Sequence, residues 1–352
     1  MGLWPEAALL RGNPRRRPLR RVREWPAVRT IHQLVSRIPP WLADLRLFRL
    51  ASAGESWLSL LSQDPGHLQR RVSYSRLGAI HRSAGAGRTY PLFVMNRDVD
   101  LERLAAFTRR CGDLGIEFSR VAGMDAMDPT FDFASHREYI PEQFWGSTSF
   151  NRGVVGNFLT HIRIWQQMSD EDIEFAIVCE DDAYPLTLLP RTEADFGFPA
   201  GYDLVFINRR AASWVDPRTA LDGEAVLTYV PFERAVSSLL EYHPRLEAPG
   251  AEGYAVSRKG ARSLLRMARS ARISCGDDWA MTLHSLSPEY RMQLMNRLPM
   301  DQQREIQSLE ISEVLLETYV LLPGLIDHRD GGRSTMSRDP TVSRIERSAM
   351  GF

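Results

Sequence analysis

Three short apolar runs that each end in polar residues limit what this chain can fold into. They are Tyr90–Asn96 (YPLFVMN), Glu174–Cys179 (EFAIVC) and Tyr202–Asn208 (YDLVFIN). Near-continuous apolar runs of this length suit strands covered on both faces, whereas a sheet open to water on one side reads as an alternation. After the first run, Asp98 and Asp100 precede Leu101, Leu104, Ala105, Phe107 and Leu114 at helical spacing, and Gly115 ends the pattern. Glu117–Val121 reads as the next strand. The opening is therefore β-α-β, which predicts an α/β domain with a largely parallel central sheet.

The rest of the pattern agrees. Residues 122–150 are rich in turn formers, and Gly153–Ser169 follows as a helix on Val155, Phe158, Leu159, Ile162 and Trp165, with His161 inside it. Ala225–Pro231 is a candidate fourth strand. Ser257–Ala268 reads as a helix capped by its serine, and Asp278–Leu286 as another. No internal repeat is visible.

Composition excludes several classes. Hydrophobic residues make up 43% and charged residues 25%, so the chain is not wholly disordered, collagen-like or a coiled coil. No run of 18 apolar residues exists; the nearest, Ile311–Ile326, is broken by Glu313, Glu317 and Pro323. The three cysteines, Cys111, Cys179 and Cys275, lie far apart without metal-ligand spacing, which fits a reducing cytosol. The 44 basic and 44 acidic residues cancel, but positions 1–90 carry 16 basic and 5 acidic residues. Residues 1–85 therefore read as a basic, loosely structured N-terminal extension, residues 88–336 as the folded domain, and residues 337–352 as a tail. Within the extension, Trp41–Leu61 has amphipathic helical spacing that suits an anionic membrane surface. The alternative is an extension that stays disordered or packs on the domain. No nucleic-acid recognition motif accompanies the basic patch, so nucleic acid is not an expected partner.

The chemistry centres on Glu180, Asp181 and Asp182, directly after the Glu174–Cys179 run. In open α/β sheets ligands bind outside the carboxyl ends of strands, and clustered carboxylates there call for a counter-charge. Oxygen ligands suit Mg²⁺ or Mn²⁺, which would hold a diphosphate and offset the charge of a phosphate leaving group. The alternative is a solvated acidic turn. Walker A, G-x-G-x-x-G and G-x-S-x-G motifs are all absent, which disfavours P-loop hydrolases, dinucleotide dehydrogenases and serine hydrolases.

Several blocks in order resemble glycosyltransferase family 25, which includes lipooligosaccharide and procollagen galactosyltransferases. VMNRDVDLER matches its opening pattern at Asn96, Asp98 and Arg103, and VAGMDA supplies Asp125. GVVGNFLTHIRIW matches at Gly153, Gly156, His161 and Trp165, FAIVCEDDA at the acidic triplet, GYAVSRKGA from Gly253 to Ala261, and GDDW at Asp277 and Asp278. Ser334–Met336 echoes a terminal S-x-I. Arg97, Asn157 and Thr160 depart from the family's usual apolar residue, cysteine and serine.

The resemblance implies a GT-A-like, Rossmann-type nucleotide-sugar-binding fold and inverting transfer from a UDP-sugar, usually UDP-galactose, to a saccharide or lipid-linked saccharide acceptor. It implies donor contacts from Asn96, Asp98, Arg103, Asp125, His161, Glu180 and Asp181, and Mn²⁺ (or Mg²⁺) held by Asp182 with Glu180. Asp277 and Asp278 are the candidates for the general base that takes the acceptor proton. The setting it suggests is the cytoplasm, with the basic N-terminus a candidate for peripheral contact with the inner membrane. Two other classes stay open: a catalytically weak module that binds a glycan or nucleotide sugar, and a sugar-nucleotide nucleotidyltransferase. The second would need a glycine-rich phosphate loop after the first strand, whereas SAGAGRTYPLF places its glycines before it.

Overall fold

A computed structural model describes residues 89–141, 152–215, 227–242, 248–271, 277–298 and 316–328. The N-terminal extension with Trp41–Leu61, Cys275, the Ser334–Met336 echo and the tail lie outside the described residues.

The chain order is β1 (Leu92–Asn96), α1 (Leu101–Leu114), β2 (Ser119–Ala122), α2 (Arg152–Asp170), β3 (Phe175–Glu180), β4 (Ala183–Pro185), α3 (Glu193–Phe196), β5 (Leu204–Phe206) and α4 (Arg209–Ala212). Then come β6 (Thr228–Pro231), α5 (Phe232–Tyr242), β7 (Gly253–Ser257), α6 (Arg258–Ala271), α7 (Asp277–His284), α8 (Pro288–Met295), β8 (Thr318–Leu322) and β9 (Ile326–His328). Seven strands form one sheet in the order β2-β1-β3-β7-β5-β8-β6, and β4 pairs with β9 in a separate ribbon. β1 pairs in parallel with β2 and β3, and β5 with β8. β7 is antiparallel to both β3 and β5, and β6 is antiparallel to β8. The sheet is thus mixed: five strands run one way, and β7, near the middle, and β6, at one edge, run the other.

Burial explains the continuous apolar runs. Along β1, Phe93 and Met95 enter one core with Trp165 of α2 and Leu264 of α6, while Leu92 and Val94 enter a second core with Phe107 and Cys111 of α1. Successive side chains of a strand point to opposite faces, so a strand covered on both sides needs apolar residues at every position.

The α1 helix differs from expectation in its inner face. Leu101 is exposed and so is Ala105, while Phe107 and Cys111 are the buried positions. The helix is rotated toward its arginines. Arg110 donates from Nε to the Pro185 carbonyl at 2.7 Å, and Arg103 reaches the acidic triplet. Asp100 occupies the N-cap without a side-chain cap bond, because its carboxylate accepts from Arg97 Nε at 2.8 Å. The serine cap of α6 forms as expected, with Ser257 Oγ accepting from the Gly260 amide at 3.0 Å.

His284 closes α7 and is fully buried. Its Nδ1 lies 2.8 Å from the Ala280 carbonyl and must carry the proton, while Nε2 has no partner. Burial pushes its pKa down to about 4, since a second N–H would have nowhere to donate. The native state binds this proton less readily than the unfolded chain, so the stability contributed is complete above about pH 6.5 and is lost as pH falls toward 4. The loss should reach about 3 kcal/mol. Urea unfolding at pH 7, 6, 5 and 4 should give a steeper decline for wild type than for His284→Gln; equal slopes would contradict it.

Candidate active site

The five co-directional strands end on one side of the sheet, and β7 begins there. The turns after β1, β2, β3 and β5 and the residues leading into β7 therefore meet, bringing together Asn96, Asp125, Glu180 to Asp182, Arg210 and Glu252. A cleft open to solvent runs between the first three turns and the start of α2. Asn96, Arg97, Arg103, Asp125, Asn157 and Asp182 are among its lining residues.

Arg103 organises the acidic triplet. Its Nη2 lies 2.7 Å from Asp181 Oδ1 and also contacts Asp182 Oδ2. Asp181 further accepts from Asn96 Nδ2 at 2.7 Å. Burial still prevails over these partners and pushes the Asp181 carboxyl up to about 6. For Asp182 the balance is opposite: burial is outweighed by the bond from His328 Nε2 at 3.3 Å and by Arg103, which hold its carboxyl below the usual range. The β4–β9 ribbon brings His328 there by pairing it with Ala183, the residue after Asp182.

The sequence-derived residues divide clearly. Asn96 is buried, and its amide ties β2 to the turns after β1 and β3: it donates to Asp181 and the Asp100 carbonyl and accepts from Arg120 Nε at 3.0 Å. Asp98 is 82% exposed, pairs with Arg120 and does not line the cleft. Asp125 lines it and accepts from Arg97 Nη1 at 3.0 Å. Arg97, a departure from the family pattern, thereby ties the turn after β1 to the turn after β2.

Beneath the cleft lies a deeper group. One donor atom each from His161, Glu180 and Asp277 lies within 4.8 Å of the other two. Asn157, a second departure, donates from Nδ2 to Asp277 Oδ1 at 3.0 Å and to Glu180 Oε1 at 3.3 Å. Burial and the carboxylates of Asp182, Asp277 and Glu252 push Glu180 well above the usual range. Burial acts the same way on Asp277, but His161 and the Asn157 amide overcome it and keep this carboxyl low. Half-buried Asp278 is pushed up to about 7 by burial and by the Asp277 charge, with Arg210 opposing.

The sequence did not single out Arg210, Glu252, Tyr254 or His328. Arg210 Nε lies 3.5 Å from buried Glu252 and is also held charged by Asp278, Glu180 and Asp182. Arg210 comes from α4 after β5, Glu252 and Tyr254 from the start of β7, and His328 from β9, so the turn after β5, the antiparallel insertion of β7 and the β9 ribbon bring them beside the triplet. The signal for Tyr254 was its place inside GYAVSRKGA and for Glu252 its place just before that block; Arg210 and His328 had none.

Comparison with protein families bears on the cleft side of this arrangement. Residues 90–186 match the model of glycosyltransferase family 25 (LPS biosynthesis protein), so the resemblance holds over the segment from β1 through β4. That segment carries Asn96, Arg103, Asp125, Asn157, His161 and the acidic triplet. Comparison with curated proteins gives no match. Among the described residues, no helix is long and apolar enough to cross a membrane.

Gly156 sets the cleft wall. A Cβ there would stand 2.3 Å from the Met124 carbonyl oxygen, a backbone atom that cannot swing aside. The next turn of α2 fastens the same loop: Thr160 Oγ1 accepts from the Met124 amide at 2.9 Å and donates to the Gly156 carbonyl at 2.7 Å. Thr160, the third departure, thus keeps the hydroxyl function of serine. Gly156→Ala should cost about 2 kcal/mol in thermal or urea unfolding. A variant as stable as wild type would show that this contact is loose.

Proposed function

We propose that the protein is a glycosyltransferase of lipopolysaccharide or surface-polysaccharide biosynthesis, with a GT-A-like fold, that moves galactose from UDP-galactose to a saccharide acceptor with inversion. The observation that carries this reading is the coincidence of the family 25 match with the elements that build the cleft. The acceptor hydroxyl oxygen would bond to the anomeric carbon as the bond to UDP breaks, and a base would take the hydroxyl proton. Asp278 suits that base, since a carboxyl pushed up to about 7 is poised near neutral pH, and Asp277 beside it is held ionised. Arg103, with a buried Nε that has no partner, faces the cleft where the donor diphosphate would lie.

The residues fit a hard divalent cation, Mn²⁺ or Mg²⁺. Asp182 Oδ1 and Glu252 Oε1 are buried oxygens with no hydrogen-bond partner, and the surrounding carboxylates outnumber the cations. Glu180 and Asp182 would hold the ion, with Asp277 as a third oxygen donor. When bound, it would offset the charge of the departing diphosphate. The acceptor would be a saccharide or lipid-linked saccharide, with the basic N-terminal segment contacting the cytoplasmic face of the membrane.

The test is UDP release from a panel of UDP-sugars, with and without Mn²⁺, for wild type and Asp182→Asn. The expected result is metal-dependent turnover of one UDP-hexose, reduced about a hundredfold or more in the variant. Absence of both turnover and calorimetric binding for every donor, with an acceptor mixture present, would refute the proposal.

A further inference from the structure

Asn157, His161 and Trp165 lie four residues apart on one face of α2, and beside them β7 places Tyr254. His161, Trp165 and Tyr254 have no more than trace exposure. Trp165 Nε1 can only donate, and it donates to the Tyr254 hydroxyl oxygen at 3.0 Å. That hydroxyl has one proton of its own to place, and among the described residues the acceptor it meets is His161 Nδ1 at 2.8 Å. With Nδ1 accepting, the ring proton sits on Nε2, which faces Asp277 Oδ2 at 3.1 Å. The opposite tautomer would strand the Tyr254 proton in a closed interior and turn the Nε2 lone pair toward a carboxylate, and a buried donor left without an acceptor is unfavourable.

From this we infer that Trp165 and Tyr254 hold His161 as the Nε2–H tautomer, which makes it a positioning residue for the Asp277 carboxylate and not a metal ligand. A cation shared with Glu180 and Asp277 would need a bare Nε2. Any ion at this site is therefore held by carboxylate oxygens, although His161 is within reach of the same point. Asp277 accepts from Asn157 on Oδ1 at 3.0 Å, and His161 Nε2 stands 3.1 Å from its Oδ2. Neither His161 nor Tyr254 lines the cleft, and their route to the site is the contact of His161 with Asp277.

The tautomer is independent of any activity and can be read directly. Long-range ¹H–¹⁵N correlation spectra of the full chain should show His161, identified by its loss in His161→Gln, as Nε2–H, unchanged on adding Mg²⁺. An Nδ1–H signal in the free protein, or a change to Nδ1–H with Mg²⁺, would overturn the inference. A second arm rests on the proposed transferase reading: Tyr254→Phe removes only the hydroxyl and should lower kcat for UDP release about tenfold with donor KM unchanged. Unchanged kcat in an active enzyme would overturn the positioning role. If the transferase reading fails, the spectra still decide the tautomer.

Discussion

The structure turns on how much negative charge the sheet collects at one end. Glu180, Asp181, Asp182, Glu252, Asp277 and Asp278 meet there against Arg103, Arg210 and His328. Burial penalises each ionised carboxylate, and the two arginines do not lift the whole penalty: Glu180, Asp181, Glu252 and Asp278 all remain shifted upward. Only Asp182 and Asp277 are held low, and each has a histidine against it. Such a concentration of perturbed carboxylates at the cleft marks it as the candidate functional site.

The fold exists to make that meeting possible. Covering both faces of the sheet leaves only its ends open, and the antiparallel β7 brings the start of a strand, with Glu252, to the same end as the carboxyl ends of β1 and β3. The cleft, with Asn157, His161 and Glu180, comes from the segment that matches the family model, and Glu252, Asp277 and Asp278 come from residues beyond it. The three departures from the family pattern all act as polar ties here. Arg97 links two turns, Thr160 fastens the loop after β2 to α2, and Asn157 bridges Glu180 and Asp277.

Much of this was legible in the chain. The β-α-β opening, α2 and the strand before the triplet follow from apolar runs and helical spacing, because each is long enough to show its period. β7 and β8 were missed as strands: five residues each, the first hidden in a polar-flanked motif and the second between Glu317 and Pro323. The inward face of α1 was misjudged because Arg103 and Arg110 are drawn in by partners from β3 and β4, which no periodicity records. For the same reason Asn96 was legible as a candidate, which the fold places in the cleft lining, but not as a clamp, and Arg210 and His328 were not legible at all.

The most direct test of the account is the position of a cation and nucleotide in crystals grown with UDP and Mn²⁺. The account predicts an anomalous manganese peak among the oxygens of Glu180, Asp182 and Asp277, with the diphosphate beside Arg103 in the cleft. A manganese peak away from these carboxylates, or UDP bound outside the cleft, would contradict it.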